Sequence, residues 1–110
     1  MPGTYRAGGN LIYDWLIAPT LTPVAVAGST AAEQSFTIAG LQVGDYVDVN
    51  CNVTQTAGLS IGNVRVSAAN TLTVEFSNST AGTLTPVSAV YLINIGRPEV
   101  GIASLPTNAA

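Results

Sequence analysis

Apolar and polar residues alternate along much of this chain, in short runs that Gly, Pro, Asn and Ser interrupt about every ten residues. In YVDVNCNV (46–53), Val47, Val49, Cys51 and Val53 fall on one side, while Tyr46, Asp48, Asn50 and Asn52 fall on the other. In GNVRVSAANTLTVEFSN (62–78), Val64 and Val66 share a side, as do Leu72, Val74 and Phe76. Arg65, Thr71, Thr73 and Glu75 point the opposite way. A period of two marks an extended strand with one buried face, because successive side chains leave a strand on opposite sides. Val, Ile, Tyr and Thr, which fill these runs, fit a pleated and half-buried surface. No stretch keeps a helical period over three turns. The nearest approach is a single turn around STAAEQ (29–34), where Ser29 or Thr30 can cap the first N–H groups.

The pattern predicts seven or eight strands. They are Leu11–Ile17, Thr22–Ala27, Ser35–Ala39, Tyr46–Val53, Asn63–Ser67, Thr71–Ser77 and Val87–Ile95. The turn AGLQVGD (39–45) lies between the third and fourth, with Gly40 and Gly44 free to take positive φ and Asp45 placed to close the loop on backbone N–H groups. The loop SAAN (67–70) joins two strands as a hairpin, which brings Arg65 and Glu75 near each other on its outer face in one register. The last strand is apolar on both faces, as expected of a central strand or one that a partner covers. The chain therefore reads as all-β, a single antiparallel sandwich over residues 11–95. An N-terminal arm (1–10) precedes it and an extended C-terminal arm (96–110), broken at Gly96, Pro98 and Pro106, follows it.

Composition narrows what such a domain does. Charged residues make up 8% of the chain, against roughly a quarter in an ordinary soluble domain, so little electrostatic repulsion keeps copies apart. Self-association, or docking on a larger assembly, is the expectation. The net charge of −3, and three Arg (Arg6, Arg65, Arg97) spread along the chain with no Lys, argue against nucleic acid, which needs clustered cations. The longest strongly apolar stretch, VSAVYLINIG (87–96), is too short to span a bilayer as a helix, and no membrane partner is expected. Cys51 is the single cysteine, so no intrachain disulfide forms. With no signal-like segment at the start, synthesis in a reducing cytoplasm is the expectation.

Candidate chemistry is thin. Asp45 and Asp48 are close in sequence, but one belongs to a turn and the other lies three positions on, with no third ligand and no His nearby. Hydroxyls are plentiful, yet no His or Lys is present to activate them, and Cys51 lacks a base for the same reason. Asn52-Val53-Thr54 and Asn78-Ser79-Thr80 match the glycosylation tripeptide, a match that arises by chance in a chain so rich in these residues. No catalytic, cofactor-binding or metal-binding residue is assigned, and the chain is not expected to be an enzyme. Trp15 sits in LIYDWLI, whose two faces are both largely apolar, and reads as a core or interface anchor, with a sugar platform as the other possibility.

The block from Ala39 to Ile95, through GLQVGD, TAGLSIGNVRVSAANTLTVEFSN, TAGTLTP and the closing strand, resembles a β-domain of small structural proteins of tailed bacteriophages. The resemblance implies a jelly-roll-like sandwich that decorates and cements the capsid by bridging subunits of the major capsid protein. It also implies a place on the outer capsid surface of the virion, with self-association as a dimer or trimer on the shell. Related domains occur in tails and fibres, so a tail or tail-fibre domain that trimerises or touches a host receptor is the alternative. Tyr5, Arg6, Trp15 and Arg97 are the expected partner contacts. The two arginines are singled out because a guanidinium makes several directed hydrogen bonds.

Overall fold

The computed structural model describes residues 11–98, and Tyr5, Arg6 and the rest of both terminal segments lie outside them. The alternating runs form seven strands: β1 (Leu11–Ile17), β2 (Thr20–Leu21), β3 (Thr30–Thr37), β4 (Tyr46–Cys51), β5 (Leu59–Ala68), β6 (Thr71–Asn78) and β7 (Ala89–Pro98). They make two antiparallel sheets. In one, β7 is flanked by β1 and β2 on one edge and by β4 on the other; in the second, β6 lies between β3 and β5. The all-β sandwich expected from the sequence is what the structure shows, and β7 is the central strand that its two apolar faces predicted.

The inner faces meet in one core. Val47 and Val49 of β4 and Tyr91, Ile93 and Ile95 of β7 pack with Leu59, Val66, Leu72, Val74 and Phe76 of the second sheet. Most of the predicted inward sets are buried as expected, with Val64 half-buried at the margin. Val53 is not, being 51% exposed because β4 ends at Cys51 before reaching it. Cys51, expected inside, is only half-buried, because it ends β4 at the open side of the sandwich. Thr73 points to the other face, yet it too is buried. It sits mid-sheet between Ser35 and Ser67, whose hydroxyls lie 3.1 and 2.7 Å from its own.

Several boundaries differ from the sequence expectation. Residues 30–37, placed partly in a helical turn, are instead strand β3, paired with β6 from Thr30↔Asn78 to Thr37↔Thr71. Ala32, Gln34 and Phe36 oppose Phe76, Val74 and Leu72, so tertiary pairing overrides a weak local preference. The expected strand Thr22–Ala27 does not form: β2 ends at Leu21 before it begins, and within it only the single bridge Val26↔Leu84 pairs. Pro23 removes a ladder donor there, and the amide of Gln34 replaces the missing strand by accepting from Val24 N at 2.8 Å and donating to Val24 O at 2.8 Å. Gly96, Arg97 and Pro98, read as the start of the arm, continue β7 against β1.

Arg65 does not meet Glu75. The register sets Arg65 opposite Thr73, and its guanidinium reaches across to Glu33 of β3 at 2.8 and 3.0 Å. Glu75 instead accepts a hydrogen bond from Asn63 N, where β5 bulges between Ile61 and Val64. Asn78, the residue of the second glycosylation match, is 2% exposed. Its amide donates to Val26 O and Gly82 O and accepts from Thr80, so it serves as an internal clasp for two loops.

Candidate functional site: an aromatic and arginine corner

The turn between β3 and β4 builds the base of this corner. Gly40 and Gly44 take φ of 96° and 102°, the left-handed region the sequence assigned to them. The reversal turns the Asp45 carboxylate inward, where it accepts from Gln42 N at 3.0 Å. Arg97 reaches this carboxylate from β7, with Nε 2.9 Å from Oδ1 and Nη2 2.8 Å from Oδ2, and Nη2 also donates to the Gly40 carbonyl at 2.8 Å. The Asp45 side chain is 2% exposed and that of Arg97 18%. A bidentate pair so shielded from water is among the stronger ionic contacts, because guanidinium and carboxylate match in geometry and little solvent screens them. The hydrogen bonds from Arg97 hold the Asp45 carboxyl below its ordinary value, against the opposing effect of burial.

Aromatic rings cover this pair. Arg97 lies opposite Tyr13 in the β1–β7 ladder, and its Cζ is 5.0 Å from the centre of the Trp15 ring, a cation–π distance. Trp15 stacks on Tyr13 with ring centres 4.9 Å apart and planes 17° from parallel. Because Trp15 pairs with Ile95, whose side chain is core, Trp15 lies on the inner face of its sheet. It is nevertheless 39% exposed and Tyr13 50%. A cavity of about 180 Å³ opens beside it, lined by Ile17, Ile38, Leu41 and Ile95. The hairpin tip completes the corner: Asn70 Oδ1 accepts from Gly40 N at 2.8 Å, and its backbone bonds Ile38 and Leu41.

Two of the expected contact residues, Trp15 and Arg97, thus come together here. Arg97 is engaged within its own chain by Asp45, Gly40 and Trp15. Tyr13 and Asp45, which are not among the contacts expected from the sequence, complete the corner. The spacing of Tyr13 and Trp15 on one face was visible, whereas the link to Arg97 required knowing that β7 runs through Gly96.

The corner is equipped to bind and carries no reactive group. Both Asp45 oxygens are occupied, and every buried side-chain N or O among the described residues has a hydrogen-bond partner. A second hollow of about 300 Å³ lies between β4 and β5, lined by Asp48, Asn50, Cys51, Gln55, Ser60 and Val64. Asp48 stands on the solvent side of β4, apart from the paired carboxylate of Asp45. No three His, Cys, Asp or Glu residues cluster as metal ligands among the described residues. No family model, characterised protein or solved structure matches this chain.

Proposed function

We propose that this chain is a non-enzymatic structural protein of a tailed-phage virion that decorates the capsid and bridges subunits of the major capsid protein. The observation that carries the reading is the make-up of the outer surface. The chain holds only nine charged side chains, three basic and six acidic. Leu16, Val24, Val43, Tyr46 and Val53 are exposed together with Tyr13 and Trp15. Such a surface is costly to leave in water and suits a protein that spends its life against neighbours. A sandwich with a single core and no reactive cluster supplies a stiff wall. Many copies, each making modest contacts, would resist separation of the shell subunits through their combined attachment.

Counting copies in purified virions by quantitative mass spectrometry tests this reading. On the order of hundreds of copies per particle, retained on tail-less heads, is the expected result, since strength by multiplicity requires high occupancy. A handful of copies, confined to tail fractions, overturns it. The exposed Tyr13–Trp15 stack favours a second reading, a tail or fibre domain that meets a host surface sugar, because an open aromatic face is what a sugar ring packs against. Binding to host polysaccharide that Trp15→Ala abolishes would establish that reading in place of the first.

A further inference from the structure

We infer that β1 is a self-pairing edge: two copies of this chain join about a two-fold axis at Trp15, continuing the β1–β7–β4 sheet from one copy into the next. The inference concerns the free protein and does not depend on the capsid reading.

The direction of the backbone groups is fixed by two bonds at the far end of β7. Tyr91 N donates to Pro19 O at 2.9 Å on the β1 side, and Asn52 N donates to Val90 O at 3.0 Å on the β4 side. Along an antiparallel ladder these directions alternate. Tyr13, Trp15 and Ile17 therefore bond to Arg97, Ile95 and Ile93, while Asp14 and Leu16 turn their N–H and C=O groups to the opposite edge. Among the described residues no strand pairs that edge.

Natural sheets blunt such an edge with Lys, Pro or a bulge. The other outer strands carry some protection. β5 bulges at 61–64 and carries Arg65, β3 carries Glu33 bound to that Arg, and the edge of β4 looks across the hollow toward β5. β1 has an irregularity of its own at its start, between Leu11 and Tyr13, but from Tyr13 to Ile17 it has one charge, Asp14, and regular pairing. Around it Tyr13 is 50%, Trp15 39% and Leu16 68% exposed.

Charge then selects the register. Within the regularly paired stretch Tyr13–Ile17, Asp14 and Leu16 are the residues that can enter hydrogen-bonded pairs across the new seam. An axis at Leu16 would pair Leu16 with its own copy and leave Asp14 unpaired within that stretch. Pairing Asp14 with its own copy sets two carboxylates directly opposite, which is repulsive. Shifting by one pair sets Asp14 opposite the Leu16 of the second copy and Leu16 opposite its Asp14. Trp15 then faces Trp15 across the axis as a close, non-hydrogen-bonded pair, with Tyr13 opposite Ile17. This register satisfies the backbone edge, separates the acids and covers the exposed indole. Because one strand pair buries less than a standard interface, the dimer forms in a concentration-dependent way.

Sedimentation of the purified full chain over a range of concentrations tests this. A monomer–dimer equilibrium is expected. Leu16→Asp places a carboxylate opposite each Asp14 and is expected to weaken dimerisation by at least about tenfold. The double variant Asp14→Lys, Leu16→Asp reverses the sign and is expected to restore it. Leu16 is solvent-exposed, so circular dichroism of both variants should match the parent. As a direct probe of the axis, Trp15→Cys in a Cys51→Ser background should give a disulfide-linked dimer under mild oxidation, since non-hydrogen-bonded pairs bring β-carbons close. A strict monomer at millimolar concentration, or a dimer indifferent to Leu16→Asp, overturns the inference. Because no capsid enters the measurement, that failure would leave the capsid reading standing.

Discussion

A single carboxylate ties the corner together, and its protonation is a measurable handle. The hydrogen bonds from Arg97, with a smaller contribution from Gln42 N, hold Asp45 below its ordinary value although burial works the other way. In the unfolded chain the same group takes up its proton near the usual carboxylate value of about 3.9. Its contribution to stability is therefore complete above that value and drains away as the pH falls through the lowered folded value. Asp45→Asn removes this dependence and also weakens the bidentate contact at neutral pH. Urea-unfolding free energies of the two proteins should differ most near pH 6 and draw together as the pH falls below the ordinary carboxylate value and through the lowered folded one. Glu33, held low by Arg65, titrates in both proteins and cancels from the difference. A gap that stays constant across the acid range would mean that Arg97 does not depend on this charge.

At the scale of elements, the tip of the β5–β6 hairpin is tied to the β3–β4 turn through one residue. Asn70 takes φ of 62°, a left-handed conformation that Asn tolerates better than most residues and Gly tolerates best. Its N–H donates to Leu41 O, its carbonyl accepts from Ile38 N and its side chain accepts from Gly40 N. Asn70→Gly keeps the backbone and loses one bond, a cost of about 0.5–1 kcal/mol at this exposed site. Asn70→Ala also bears the left-handed penalty and should cost about 1–2 kcal/mol more. Thermal melts should rank the parent above Gly and Gly above Ala. The hairpin was legible in the sequence from Asn63 on because Val64 and Val66, then Leu72, Val74 and Phe76, alternate with polar residues and its turn carries Asn70, while the start of β5 was hidden by the bulge between Ile61 and Val64. β1 was legible for a related reason, bounded as it is by Pro19. β3 was not, since TAAEQSFT has little alternation of its own and becomes a strand only through pairing with β6. The end of β7 was hidden because Gly96 and Pro98 read as breakers, while the ladder with β1 carries the backbone through them. The Arg97–Asp45 pair was hidden with it, joining residues far apart in sequence that only the crossing of the chain brings together.

At the scale of the molecule, one strand organises both sheets. β7 holds β1 and β2 on one edge and β4 on the other, and its Tyr91, Ile93 and Ile95 fill the core shared with β6. The chain changes sheet at the β2–β3, β3–β4, β4–β5 and β6–β7 connections, so neither sheet is assembled from neighbouring hairpins alone. Such non-local pairing folds slowly and is secured late, when both layers close on one core. Ile93 is fully buried at the centre of that core, and Ile93→Ala should cost about 3–4 kcal/mol. For a domain of this size, whose whole stability is on the order of 5–10 kcal/mol, that is a large share. Both sheets should lose it together. Trp15 is the single tryptophan and reports on the first sheet, while hydrogen exchange at β6 amides reports on the second. In the parent and in Ile93→Ala the two probes should give the same unfolding free energy, lowered equally by the substitution. β6 amides that stay protected after the Trp15 signal has melted would show that the second sheet stands without β7, and the idea of one wall with one core would have to be replaced by two separable layers.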